Sequence, residues 1–414
     1  MKTQTKIIAI ISLSFYISSC VSSNKIYDEN DSEISNAVGS KNLQTIDIDI
    51  LKPERTINLS NIFRGVKTVV LETNKDVLIG NINSMQIYND SIFILDSRSA
   101  RGLFLFNKNG KFLRRIGNIG QGPGEYIEPS DFTLDKKHKF IYILDSRYQK
   151  ILKYDIKSGN YINSLTISNS KYSSFHIQFV NGKLYADSFK YPYTLQDCML
   201  QEINLTTGER EKKWLSTSTY HKNFTEIQFL GRDVFYDKGL VTPKFIQTFM
   251  DTVMSINKQG DVIPYLTIKS KDLLTKSDLS QIDGNVLLKT RTLVKMNKIY
   301  HINNFVSNQN LLYFTYCQKL FIMNLFYNMK TQKTHLAYGI TDDLVYGKVE
   351  EYIGIEPQFC CSNDNGFYSY IEPRKMSKFI ELAKAGKLAR NLDKRDQLMK
   401  LNTDSNPVIF VYEY

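Results

Sequence analysis

Several catalytic chemistries have no footing in this chain. There is no CxxC, and the five histidines, His138, His176, His221, His301 and His335, are scattered without ligand spacing, which removes the ordinary zinc sites. Neither GxSxG nor HExxH occurs, so the nucleophile elbow and the metalloprotease helix are both excluded. Tryptophan appears once, at Trp214, which argues against a dedicated sugar-stacking lectin, although 26 tyrosines leave other stacking platforms. Beyond the first twenty residues no run of about 18 apolar residues exists to cross a bilayer as a helix. No metal and no cofactor is expected.

The N-terminus carries a different signal. Lys2 and Lys6 precede an apolar run from Ile7 to about Ile17, too short to span a membrane comfortably, and the run ends in small residues. Ser18 and Ser19 directly before Cys20 resemble a bacterial lipobox, in which a peptidase cuts before the cysteine and its thiol carries a diacylglycerol. Residues 1–19 are then a signal peptide and Cys20 the lipid attachment site; ordinary secretory cleavage with Cys20 incidental is the alternative. Residues 20–60 read as a flexible tether, since the segment after Cys20 is polar and holds Asp28, Glu29, Asp31 and Glu33. The expected location is the cell envelope, lipid-anchored at the outer membrane. An acidic run beginning eight residues after the cysteine leaves the periplasmic and the surface face both open.

The formal charge of +11 is unevenly spread. Residues 374–400 hold nine Lys or Arg against Glu381, Asp393 and Asp396, so much of the excess belongs to one segment rather than to a stripe for nucleic acid, which is not an expected partner. After Cys20 the cysteines are Cys198, Cys317, Cys360 and Cys361; four allow three pairings, and one bridge or buried free thiols both remain open.

Internal repetition decides the fold class. "IFILDSRSARGLFLFNKNGKFLRRIG" from Ile92 and "IYILDSRYQKILKYDIKSGNYINSL" from Ile141 share the pentapeptide ILDSR, with Ile94 and Ile143 separated by 49 residues. Each copy reads as a strand, a DSR turn, a second strand, a glycine turn and a third strand, preceded by "SMQIYN" or "DFTLD". Weaker copies follow at "GKLYADS", "KGLVTPKF", "NLLYFTYC" and "NGFYSYIEP", making six units of four strands. The pattern predicts an all-β fold, a six-bladed β-propeller over 61–414. Ring closure requires strands from both chain ends, and "VKTVVLE" (66–72) and "NPVIFVYEY" (406–414) are expected side by side in the sixth blade. Helical spacing over 375–392 predicts one inserted helix, within about 374–400, before the last strand.

"VVLETNKDVLIGNI", "IYILDSRYQKILKYD", "IGNIGQGPGEYIEPSDFTLD" and "DSNPVIFVYEY", with the lipobox upstream, together resemble bacterial lipoproteins of the six-bladed β-propeller group, related in pattern to NHL-repeat propellers. The resemblance implies fold, export and lipidation, and supplies no catalytic residues.

"GQGPGEY" (120–126) lacks the GxGxxG spacing and is followed by Pro129 and a strand rather than a helix, so it reads as a corner between blades and not a phosphate cradle. In a four-stranded meander this loop and the DSR turns share a face. That face is expected to display Asp96, Arg98, Asp145, Arg147, Gln121, Glu125 and Tyr126 as candidate ligand-face residues, with the aspartates alternatively capping their own turns. The expected function is a non-catalytic module binding a glycan, a peptide or an envelope protein. The alternative is a propeller enzyme, a hydrolase, lyase or lactonase acting on an exported glycan or peptide, for which no catalytic residue is identified.

Overall fold

The structure is a computed structural model that describes residues 34–35, 37–39, 43–168, 172–190, 198–220, 234–240, 242–282, 286–347 and 353–414. Cys20 and His221 lie outside the described residues.

Six four-stranded antiparallel sheets form the blades of a propeller, two of them extended by a fifth, parallel strand. Blade 1 is built from Ser84–Tyr88, Ser91–Asp96, Gly102–Asn107 and Phe112–Ile116. Blade 2 is built from Pro129–Asp135, Phe140–Asp145, Lys150–Asp155 and Tyr161–Thr166. In blade 3 the strands are Ile177–Val180, Lys183–Asp187, Cys198–Ile203 and Arg210–Ser216. In blade 4 they are Phe235–Tyr236, Lys244–Phe245, Thr252–Ile256 and Val262–Lys269. Blade 5 comprises Ile299–Ser307, Leu311–Gln318, Phe321–Asn328 and Thr334–Ala337. Blade 6 takes Gln358–Asn363, Gly366–Tyr370 and Val408–Glu413 from the C-terminal part, and its outermost strand, Gly65–Val70, from the N-terminal part. Ile409 pairs with Val69 and Tyr412 with Val66, so the ring closes through the two expected segments.

Composition follows position in the blade. Each second strand faces a neighbouring blade on both sides, and "IFILD" and "IYILD" are accordingly buried without alternation. Outermost strands meet water, and Tyr161–Thr166 is mostly half-buried or exposed. Apolar side chains fill the seams between blades: Phe93, Leu103, Phe132 and Leu152 join blades 1 and 2, while Phe63, Phe326, Phe359 and Phe367 meet between blades 5 and 6.

Part of the segment expected as a tether is instead built into the propeller. Ile34–Ser35 runs parallel to the outermost strand of blade 3, and Gln44–Asp47 parallel to that of blade 4. Glu54 bridges Ala337 of blade 5, and Ile57–Asn58 pairs with Ile340–Thr341. The chain thus forms a belt over three successive blades before becoming the outer strand of the sixth. The correction has a physical reason: Ile46 and Ile57 are spaced apolar residues that find the blade edges and become buried, although the surrounding sequence is polar.

The inserted helix is also shorter than its periodicity suggests. Met376–Lys384 buries Met376, Phe379, Ile380 and Ala383, and ends at Gly386, whose φ of 72° few other residues adopt. Gly386 N–H donates to Ala383 O and Lys387 N–H to Leu382 O, a Schellman stop. A separate short helix, Arg395–Leu398, follows before the last strand.

Candidate functional site

Because the chain reverses at each strand, the connections fall into two sets. Those between first and second and between third and fourth strands, such as 89–90, 136–139, 181–182 and 257–261, are short and define a turn face. Connections entering each blade, together with those between second and third strands, define a loop face, and these are long: 71–83, 117–128, 270–298 and 371–407. All the helices of six or more residues belong to the second set.

The turn face is closed at the axis of the ring. Lys238, on the turn 237–243 of blade 4, forms an ion pair with Asp131 of blade 2, both side chains being at most 9% exposed, so the contact spans two blades across the axis. From the other direction Lys136 of blade 2 donates to Gly239 O. Asp237 accepts from Ser307 N–H at 2.9 Å and from the Ser307 hydroxyl. Burial raises its pKa to about 6 against the opposing pull of Lys244. Lys244 is itself pushed down by burial and sits 4.2 Å over the Tyr265 ring.

On the loop face, three aspartates do the same work. Asp96, Asp145 and Asp187 each end a second strand and are at most 1% exposed. Asp96 Oδ2 accepts from Gly80 and Asn81 N–H at 2.9 and 3.0 Å, while Oδ1 accepts from Arg98 and Ser99 of its own turn. Asp145 accepts from Ile127, Glu128 and Arg147 N–H in the same manner. Asp187 accepts from Phe175 and His176 N–H and also meets His176 Nδ1 at 2.6 Å. A carboxylate accepting several main-chain N–H groups staples each second strand to the connection entering its blade. Asp96 and Asp145 are therefore internal ties, and their oxygens are not presented to a ligand.

The glycine loop is a corner. Glu125 Oε2 accepts from Gly122 N–H at 2.8 Å, and its carboxylate folds back against Gly120, where a side chain would have to displace it. Tyr126 is buried and its hydroxyl donates to Ile116 O at 2.7 Å, which removes it from the displayed set. The far end of the loop meets the DSR turn, since Ser146 N–H donates to Glu128 O at 3.0 Å. Of the seven candidates, Arg98, Arg147 and Gln121 stay exposed, and Glu125 is half-buried. The Arg98 and Arg147 side chains make no hydrogen bond or ion pair among the described residues.

The structure adds residues that motif reading passed over. Asp187 could have been found, because "ADS" in "GKLYADS" stands where "LDS" stands in ILDSR. Nothing in the pattern marks His301 or Gln247. Both are over nine-tenths buried near the connection 246–251, and each holds an Nε2 without a partner. His301 Nδ1 lies 3.1 Å from the Thr248 hydroxyl, and burial lowers its pKa to about 4, so it is a neutral ring. Trp214 is 1% exposed and packs in the seam rather than offering a stacking surface. Cys198, Cys317, Cys360 and Cys361 are free thiols.

Residues 43–413 match the model of a domain of unknown function, DUF4934. This chain belongs to that family. It is similar in fold to a "Putative exported protein" from Bacteroides fragilis, with 17% identity, a TM-score of 0.67, and coverage of 89% of this chain and 99% of that one. A member of the DUF4221 family from Bacteroides vulgatus is similar at 12% identity and a TM-score of 0.52, covering 84% of this chain and 98% of that one. No curated protein matches the DUF4934 chain.

Proposed function

We propose that this chain is an exported lipoprotein, held in the cell envelope at the outer membrane through Cys20, whose propeller binds a peptide or envelope protein on its loop face without catalysis. The carrying observation is the distribution of exposed large apolar side chains. Leu78, Ile119, Tyr148, Phe175 and Leu320 all sit on loop-face connections, and among the described residues no such side chain lies on a turn-face connection. Exposed apolar groups gathered on one side of a molecule mark a partner surface. Arg98 and Arg147 stand among them as uncommitted cations, able to pair with carboxylates of a partner. Export agrees with the leader sequence and with the name of the Bacteroides fragilis protein of the same fold.

Two measurements test this. Replacing Cys20→Ala is expected to move the chain from the membrane fraction to the soluble one; unchanged fractionation overturns the anchor. For the binding site, the melting temperature of the chain from Val21 onward is measured against peptides, glycans and divalent metals. Ligand at about a hundred times its dissociation constant adds roughly 2.7 kcal/mol. A peptide-dependent rise abolished by Tyr148→Ser with Phe175→Ser supports the reading. A metal-dependent rise accompanied by cleavage of a glycan or peptide overturns it in favour of an enzyme.

A further inference from the structure

The outer edges of the six blades are not treated alike. Blades 3, 4 and 5 are covered by the belt, each receiving a parallel segment on its outermost strand. In blade 6 Asp393, from the inserted 371–407 segment, accepts from Thr68 N–H on the edge strand at 3.0 Å. In blade 1 Glu72 accepts from Phe112 N–H at 2.9 Å, and the edge strand carries Arg114 and Arg115. Blade 2 has none of this. Its outer strand, Tyr161–Thr166, reads YINSLT, without charge or proline, and among the described residues none of its main-chain groups is hydrogen-bonded outside the ladder to Lys150–Asp155. Ile162 is 43% exposed on it. Natural edge strands are blunted by charge, proline, bulges or a cover; here a register shift at 161–163 is the one such device, and the regular run 163–166 is left bare as a template for a further strand.

We propose that the edge of blade 2 is a second interaction surface, independent of the loop face, which binds an extended acidic segment of another polypeptide as a parallel fifth strand. The belt supplies the geometry, because the adjoining blade 3 already accepts a fifth strand in that orientation. Charge selects the occupant. Lys150, on the neighbouring strand, pairs with Thr166 at one end of the edge strand, and Lys157 lies in the turn that leads into its other end, while Lys153 is committed over the Phe140 ring at 3.7 Å. An added strand would thus meet a cation near either end, and main-chain pairing would give affinity while alternate side chains give selectivity.

The probe is a fluorescein-labelled ten-residue peptide of alternating valine and glutamate, titrated into the purified full chain by anisotropy, with hydrogen exchange read by mass spectrometry. Saturable binding with new protection at 161–166 is expected, and the same peptide with lysine for glutamate is expected to bind at least tenfold more weakly. Main-chain groups on an edge alternate in direction, so one of Asn163→Pro and Ser164→Pro removes an outward N–H while sparing the ladder. That variant, retaining the parent melting temperature, is expected to lose binding at least tenfold. Should both proline variants unfold, Ile162→Glu with Lys150→Glu is expected to give the same loss. Absence of saturable binding, protection placed on Phe112–Ile116 instead, or full binding by a folded edge variant overturns the proposal.

Discussion

In blades 1 and 2 the second strand ends in a buried aspartate that gathers the N–H groups of its own turn and of the connection entering the blade. In blades 4 and 5 no such residue stands at that position. Ile246 N–H donates to Val234 O in blade 4, and in blade 5 Gln318 Nε2 donates to Asp272 Oδ2 at 3.2 Å. What those blades have instead is the belt, a fifth segment drawn from more than two hundred residues earlier. Blade 3 carries both devices, with Asp187 at the end of its second strand and Ile34–Ser35 on its edge. The difference teaches that local staples and long-range edge pairing are alternative ways of holding a blade. Where the repeat has eroded in sequence, distant segments hold the edge.

That division can be tested. Asp145→Ala leaves the N–H groups of Ile127, Glu128 and Arg147 without an acceptor in the interior and is expected to cost roughly 3 to 5 kcal/mol in denaturant unfolding. Asp145→Asn keeps one acceptor oxygen but turns its amide NH2 toward the remaining N–H, and should cost less than the alanine variant while still destabilising by about 1 to 3 kcal/mol. Ile46→Ala, which empties a belt position that is 4% exposed, is expected to cost about 2 to 3 kcal/mol and to open residues 43–53 to limited proteolysis while blades 1 and 2 stay protected. A uniform loss of protection across all six blades would show the two devices to be one cooperative unit.

Between blades 5 and 6 the interior holds a different liability. Burial raises the pKa of Asp342 to about 7, although it accepts from the Tyr412 hydroxyl and from Val345 N–H. A carboxyl whose pKa rises on folding contributes stability that is complete below about pH 4 and is lost as pH climbs through 7. The melting temperature is therefore expected to fall between pH 5 and pH 8, and Asp342→Asn to flatten that fall in part. Asp237, raised to about 6 by burial, keeps a residual slope of the same sign. A smaller effect is expected at Gln318→Ala, about 1 kcal/mol, since its bond to Asp272 is single and half-buried. Arg98→Ser and Arg147→Ser are expected to change stability by no more than about 0.5 kcal/mol, so any loss of binding they cause reports on the loop face itself.

Legibility in the sequence followed locality. The two ILDSR repeats, the glycine turns and the alternating terminal strand are encoded within a few residues of where they act, and they were sufficient to place six blades and the closing pair. Arg98, Arg147 and Gln121 are exposed on their turns and connections, where short-range turn chemistry decides exposure. Asp96 and Asp145 cap their own turns, the alternative that local turn chemistry offered, but their ties to the connection entering the blade and the burial of Tyr126 depend on partners 10 to 18 residues away and on how one blade sits against the next. The belt escaped notice although Ile46, Ile48 and Ile50 alternate with Thr45, Asp47 and Asp49, because only the edge of blade 4 gives that short alternation a sheet to join and makes Ile46 and Ile48 part of a core.

By itself, then, the sequence determined the strand repeat, the direction of each turn and the pairing of the chain ends, since backbone alternation and turn chemistry are properties of short stretches. Tertiary structure alone decided which polar residues became internal ties, which edge strand was left bare and how the axis was closed by Lys238 and Asp131, residues 107 apart in the chain. Desolvation and edge pairing depend on what arrives from elsewhere in the fold, and no short window of residues contains that information.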